Sequence, residues 1–495
     1  MEVKRNTNNT KQAFWISLGS VFAFGFTLIS SMILSRYFTK EEYGTYKQVL
    51  YVYNTLLIVF TLGLPKTFSY FLPRVSIDQA RSLIKKITNL LFLMGAIFSI
   101  LLFLSASSIA TFLNNPDLEL PLKIFSPVPL LMLPTMGLEG IFATYRRTQF
   151  IALYNILSKV FMLLCVALPV VLFKGAYIQA IIGLVISSFI NFLIALYIEF
   201  LPVKNAGTDR CSITYKEIFK FSLPLMYAGI WGIIISSADQ FFISRFFGTN
   251  VFAEFSNGSL ELPFVGMIIT ATSTVLMPLF SKQIYDKEDP KKVILPVWKN
   301  VFEKTVKLIY PLVLFCWFFA DTLMIVLYGQ KYEESGIYFR IKLIVNFFTL
   351  ISYYPLIIAM RANKFYANVH LIHAIFLIIL DVLCIKLFSS PYLITIISVI
   401  CRIGNVFCML LYISNYFNIR LLELIPLRLM LNIFIPSVIM LLLIKCFLTS
   451  VLSINNILQL GGGSILYFTF FYVWTIYKKM DYWSIIKPLF SKLNK

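Results

Sequence analysis

Long apolar runs alternate with short polar breaks along the whole chain. Cutting it wherever charges, Pro, Gly and Asn cluster leaves about fourteen segments that reach the roughly twenty residues needed to cross a hydrocarbon layer as a helix. They fall near 12–36, 45–72, 87–113, 121–145, 149–173, 177–201, 218–245, 251–280, 300–328, 335–360, 365–388, 391–415, 422–448 and 455–478. This pattern predicts an all-α integral membrane protein with about 14 transmembrane helices. The first apolar run extends past the length of a signal-peptide core and carries no A-x-A-like cleavage site, so the first span is expected to be retained.

Composition agrees with a bilayer solvent. Of 495 residues, 59% are hydrophobic and only 13% charged, and the mean hydropathy is +0.82, too little polar surface to clothe a water-soluble globule. The net charge of +20 raises nucleic acid as a partner, but Lys and Arg sit in short loops and never form a basic domain interleaved with aromatics, which excludes it. Seven cysteines, an odd number without a C-x-x-C pair and mostly inside apolar runs, argue against a disulfide or zinc framework.

The loop charges orient the chain. With the N-terminus inside, one set of loops holds Arg74, Arg81, Lys85, Lys86, Arg146, Arg147, Lys204, Arg210, Lys216, Lys282, Lys287, Lys291, Lys292, Lys299, Arg361, Lys364, Arg420, Lys478 and Lys479. The opposite loops carry Glu41, Glu42, Asp117, Glu119, Glu333 and Glu334 and few bases. This positive-inside asymmetry places both termini in the cytoplasm of a cell whose inner membrane holds the protein. The tail 481–490 mixes aromatics with Lys and suits either the membrane interface or solvent.

An internal repeat organises the spans. Ser35-Arg36-Tyr37-Phe38 followed by Tyr43-Gly44-Thr45-Tyr46 returns as Ser244-Arg245-Phe246-Phe247 followed by Phe252-Ala253-Glu254-Phe255, with the same spacing. Each copy closes the first span of its half and opens the second. Six spans precede the connector 202–217 and six follow it before Arg420, so the halves enter the membrane in the same direction as parallel lobes. The expected division is 1–205, 206–419, and 420–495 for two further spans and the tail. Duplicated membrane proteins of this kind work at the seam between their halves.

Several charges lie where lipid is expected. An ionised side chain at mid-bilayer costs about 2.5–3.5 kcal/mol, so each needs a partner, a cavity or a ligand. Lys159 lies about ten residues into the fifth span, some ~15 Å deep, with Asn155 and Ser158 on its face. Arg402 is flanked by Ser398 and Asn405 in the twelfth, and Asp239 lies beside Gln240 in the seventh, opposite Ser30 in the repeat alignment. Asp381, Glu139, Asp321 and Lys342 are also intramembrane. Two readings stand: pairing within a lobe, Lys159 with Glu139 and Arg402 with Asp381, or lining a polar cavity. Arg36 and Arg245 end their spans, where snorkelling to the interface is ordinary. Lys66 follows Gly63-Leu64-Pro65, where proline either frees carbonyls toward a cavity or simply kinks the helix.

No catalytic constellation is present. The chain has no P-loop, H-E-x-x-H or G-x-S-x-G. His370 and His373 share a helical face, but no Cys or acid near them completes a metal set, so neither a metal nor a cofactor is expected. Gly461-Gly462-Gly463 reads as a close helix contact.

The run Leu34 to Tyr46, then Leu62-Gly63-Leu64-Pro65 and the basic turn at Arg74, resembles the polysaccharide-export flippases of the multidrug/oligosaccharidyl-lipid/polysaccharide exporter superfamily. Phe221-Ser222-Leu223-Pro224 through Asp239-Gln240-Phe241-Phe242-Ile243-Ser244-Arg245-Phe246-Phe247-Gly248 resembles the second-lobe counterpart. The resemblance covers about residues 12–280 by motif and continues to about 420 by topology. It departs at Phe38-Thr39, where the family commonly has Leu-Gly.

The resemblance implies two six-helix lobes around a central cavity that opens alternately to either side. Its cargo would be an undecaprenyl-diphosphate-linked sugar repeat unit moved to the outer leaflet. Spans one and seven would line the cavity, bringing Arg36, Asp239 and Arg245 to it, and spans thirteen and fourteen would form a lipid-facing groove. The expected diphosphate ligands are Arg36, Lys66, Lys159, Arg245 and Arg402. Asp239, Glu139 and Asp381 are the expected groups for Na⁺ or H⁺ coupling. Membrane lipids, a glycan polymerase and glycosyltransferases are the expected partners. Rival readings are export of small cationic compounds, for which acids rather than bases should dominate the membrane, a polysaccharide polymerase or ligase, for which the external loops are short, and a structural subunit.

Overall fold

The computed structural model describes residues 2–482 except 174, 208, 286–288, 351, 352, 361 and 452–454. Arg361, Lys287 and the tail from residue 483 therefore lie outside the described residues. Every described element is helical. The fourteen apolar segments appear as α1 Glu2–Tyr37, α2 Lys40–Arg74, α3 Ile77–Phe112, α4 Pro116–Thr144, α5 Thr148–Phe173, α6 Tyr177–Val203 and α7 Tyr215–Gly258. They continue as α8 Pro263–Tyr285, α9 Pro290–Phe318 with Ala320–Tyr328, α10 Ser335–Leu343 with Tyr354–Ala359, α11 Asn363–Leu387, α12 Pro391–Phe417, α13 Leu427–Thr449 and α14 Asn456–Tyr477. Among the described residues eleven helices are long and apolar enough to cross a membrane, twelve when the two parts of α9, bent by 74°, count as one span. The remaining two segments are α8 and the interrupted α10.

Contacts divide the chain into two compact units, 1–256 and 257–495. The expected boundary at 205/206 describes duplication, whereas contact places α7 with the spans that precede it.

In the first unit, local chemistry marks each break. Thr39 caps α2: its hydroxyl accepts from the Glu42 amide at 3.2 Å while the Glu42 carboxylate accepts from the Thr39 amide at 2.9 Å. This capping box turns the chain from α1 into α2. The matching position of the second copy is Gly248, whose φ of 82° breaks α7 there. Within α2 the helix stops at Leu62 and Gly63, both at positive φ, and Pro65 restarts it at the first helical position. The feature that sequence left open as a kink or a cavity wall is thus a helix break. Gly63 is also required sterically, because a Cβ there would strike the Ser222 carbonyl.

Further along, α5 carries a π turn at Leu163–Ala167, and Gly183 of α6 makes room for the displaced Cys165 carbonyl. Gly19 of α1 backs onto Ala152 of α5, so these two helices touch at their backbones.

The connector 202–217 is strapped to one face of α3. Asp78, Ser82 and Lys86, four residues apart, take the Gly207 amide at 2.6 Å, the Cys211 amide at 3.3 Å and the Ile213 carbonyl at 2.6 Å. Val203 and Ile218 at its ends are buried with Leu83, Ile84 and Ile87. Beneath it, the buried Glu199 of α6 accepts a hydrogen bond from Thr88.

In the second unit, the bend of α9 exposes the last carbonyls of its first segment. Arg340 donates to the Trp317 carbonyl at 3.3 Å and Lys445 to the Phe318 carbonyl at 2.8 Å, two cations at the negative end of a helix. Arg340 also pairs with Asp321 at 2.5 Å. Tyr482 closes the described chain, its hydroxyl donating to the Lys307 carbonyl at 3.0 Å, and burial pushes its phenol pKa up.

Candidate substrate site and lipid-facing groove

The expected anion ligands take different environments. Lys159 is half-buried on α5, and its ammonium lies 4.0 Å from the Met162 sulfur. Arg402 is half-buried on α12. Among the described residues no carboxylate lies within 4 Å of either cation. Glu139, the acid considered as a partner for Lys159, is exposed, and Asp381, considered for Arg402, is fully buried on α11. Lys66 is exposed just after the α2 break, and Arg36 is exposed at the end of α1.

Arg245 is engaged structurally. Its guanidinium donates to the carbonyl of Phe112, the last residue of α3, and lies 4.7 Å from the Phe112 ring centre. Asp239 is 1% exposed, and its Oδ1 accepts from the Gln240 amide at 2.9 Å.

One residue of this set was not nominated from sequence. Lys47 lies seven residues into α2, about 10 Å along the helix. Its ammonium is 3.5 Å from the Ser31 hydroxyl of α1 and 5.2 Å from the Tyr43 ring centre. No carboxylate lies within 4 Å of it among the described residues. With the second span read from residue 45, Lys47 falls among its first residues; the Thr39 capping box, visible in Thr39-x-x-Glu42, starts the helix at Lys40, seven residues before it. In the first unit α2 and α5 thus each present an ammonium group with no carboxylate within 4 Å among the described residues, Lys47 beside the Ser31 hydroxyl and Lys159 beside the Met162 sulfur, chemistry suited to a phosphate-type anion.

The second unit holds an apolar groove of about 730 Å³ between α13 and α14, lined by Leu443, Phe447, Leu466, Phe470, Trp474 and Tyr477 among others. Its lining offers almost only carbon, chemistry that accepts a hydrocarbon chain. Trp474 marks one end, its indole N–H donating to the Asn432 carbonyl at 3.3 Å and its ring lying 5.0 Å from the Lys478 ammonium. His370 and His373 each direct a ring nitrogen to the carbonyl four residues before them, and no metal-binding group of His, Cys, Asp or Glu occurs among the described residues.

Comparison with known families decides the relationship. The profile of a family described as polysaccharide biosynthesis protein matches residues 33–336, more than half of the chain. The chain belongs to that family. The chain shares its fold with solved transporters. The lipid II flippase MurJ in an inward closed conformation superposes with a TM-score of 0.72 at 16% identity, over 94% of this chain and 98% of that one. A transporter of the superfamily from Pyrococcus furiosus gives 0.60 at 12% identity, over 83% and 95% of the two chains. The Vibrio cholerae MATE transporter VcmN in its bent form gives 0.57 at 11% identity, over 83% and 97%. A comparison with curated proteins found no match. The expected all-helical transporter architecture is therefore the architecture of this protein.

Proposed function

We propose that this protein moves a lipid-linked oligosaccharide, carried on undecaprenyl diphosphate, from the inner to the outer leaflet of the cytoplasmic membrane by alternating access, without making or breaking a covalent bond. The observation that carries this reading is the pair Lys47 and Lys159, cations held inside spanning helices with no carboxylate within ion-pair distance among the described residues. Such a site is stabilised by an anion that arrives with the cargo. Arg402, half-buried on α12, is a further candidate anion ligand. Membership of a polysaccharide biosynthesis family supports a glycan, and the α13–α14 groove suits a polyprenyl chain.

Carrying about two negative charges outward through a ~100 mV inside-negative potential releases roughly 4–5 kcal/mol, enough to drive export of the anion. Asp239, buried on α7, is the proposed group for resetting the cavity by Na⁺ or H⁺ entry, with Asp381 a second buried acid. Glu139 is exposed and is a weaker choice. Glycosyltransferases and a glycan polymerase of the same membrane would supply and consume the cargo.

The test is transport of a fluorescent lipid-linked oligosaccharide in proteoliposomes and surface glycan in cells that depend on this protein. Lys159→Ala and Lys47→Ala should each lower transport. Normal transport in both, or extrusion of dye cations by the wild type, would overturn the reading in favour of small-cation export. Asp239→Asn should abolish any dependence on Na⁺ or pH gradients.

A further inference from the structure

The two copies of the duplicated motif meet each other. Helices α2 and α7 run antiparallel along their lengths. Gly63 faces the Ser222 carbonyl, Gly229 faces Ile58, Gln48 donates to the Ser244 hydroxyl, Gly44 backs onto the Thr249 backbone and Lys40 pairs with Glu254. At the Gly63 end the seam is aromatic, with the Tyr70 and Phe221 rings stacked at 3.9 Å. Toward the other end, which the loop charges assign to the outside, it becomes polar.

A third element joins there. The turn between α3 and α4 inserts Asn115, whose amide donates to the Thr45 hydroxyl at 3.0 Å and to the Gln48 carbonyl oxygen at 2.6 Å. Gln48 in turn donates to Ser244 at 2.8 Å. Just before that turn, Phe112 receives the Arg245 guanidinium. One short segment, 112–115, therefore binds the first copy through Thr45 and Gln48 and the second through Arg245.

We propose that this network is a releasable outer latch, with Asn115 and the Phe112 carbonyl as its keeper and the Lys40–Glu254 pair at its rim. The physical argument is the contrast along one helix pair. A permanently fused pair in lipid is held by dry packing of small and apolar groups, which nothing in water replaces. Hydrogen bonds and an ion pair at a mouth that opens to water exchange their partners for water almost evenly, so the seam can part there without stranding a polar group. Asn115, Gln48, Thr45 and Ser244 are all buried while the latch is shut, so they have no water to turn to until it opens. Arg245, expected from its sequence position to meet the cargo, is assigned here to the latch.

This inference rests on the alternating-access reading above. It is tested by reading access to the seam without any cargo. Tyr51, half-buried on α2 with its ring 5.9 Å from Phe252, lies one turn inward of Gln48. In a chain whose seven cysteines are replaced and Tyr51→Cys introduced, an impermeant maleimide is applied to the outer face of right-side-out vesicles. Asn115→Ala and the shape-preserving Glu254→Gln should each speed labelling about fivefold or more, the shift expected when a closed state loses the contribution of at least one polar contact. The double swap Lys40→Glu with Glu254→Lys should return it to within about twofold of the parent.

Labelling that stays at the parent rate in both Asn115→Ala and Glu254→Gln overturns the latch, whatever the transport assay gives. Faster labelling in both, together with a parent that moves no lipid-linked glycan, upholds the latch and sinks only the cargo assignment. Melting in detergent checks that the variants are folded. If Asn115→Ala is not, Glu254→Gln and the swap decide the question alone.

Discussion

Gln48 and Ser244 are 196 residues apart in the chain and joined side chain to side chain at 2.8 Å. Gln48 lies two residues past the first copy of the duplicated motif, and Ser244 opens the second. The bond lies within the first compact unit because α7 packs along α2, which makes the two copies neighbours.

Glycines on the α2–α7 seam should be intolerant of any side chain. A Cβ at Gly44 would overlap the Thr249 backbone, which has no rotamer to yield, whereas Gly25 on α1 has nothing within 4 Å of such an atom. Gly44→Ala is expected to destabilise by about 1–3 kcal/mol, and Gly25→Ala to be neutral or stabilising by up to ~1 kcal/mol. Detergent melting of both variants checks this, and equal melting temperatures would contradict the close approach.

Lys47 should matter for transport as much as Lys159. Removing either ammonium is expected to weaken cargo binding about tenfold, near 1.4 kcal/mol, and Lys47→Arg should retain most of it because the charge and the Ser31 contact survive. Titrating transport against cargo concentration separates binding from turnover. An unchanged half-saturation point in Lys47→Ala would remove this residue from the site.

The connector should resist proteolysis because it is strapped. Lys204 and Arg210 are exposed trypsin targets, yet cleavage needs the segment to leave α3. Asp78→Ala removes the Gly207 amide's tie to α3, at a cost of about 1 kcal/mol, and should raise cleavage about fivefold in inside-out vesicles. The same rate in wild type and in an Asp78→Ala, Lys86→Ala double variant would show that the strap holds nothing.

Arg340 should be irreplaceable by a reversed pair. It serves both Asp321 and the Trp317 carbonyl at the α9 bend, so Arg340→Ala is expected to destabilise by about 1–3 kcal/mol. Exchanging the two residues, Asp321→Arg with Arg340→Asp, keeps an ion pair but puts an acid beside a carbonyl. It should not restore the melting temperature, and full recovery would mean that the ion pair alone matters.

Much of the architecture was legible because of the solvent the chain is built for. Apolar runs read directly as spans, and Gly63-Leu64-Pro65 flagged the interruption of α2. The individual roles of the charges were harder to read. Arg36 and Arg245 hold the same place in the repeat, but only long-range packing against Phe112 explains why Arg245 is spoken for. Lys47 was missed because its depth depends on where a helix begins, and a shift of five residues there moves a charge by about 7 Å.

In lipid every backbone N–H and C=O must be satisfied within its own helix, so the sequence alone determined that the apolar segments are helical. That rule is local and leaves the partners of side chains open. Which cations keep their charge available, which carbonyls need capping, and which duplicated residues end up against each other are settled by contacts between positions tens to hundreds of residues apart. Those contacts exist only once α7 lies along α2, α1 along α5, and the 202–217 connector along α3.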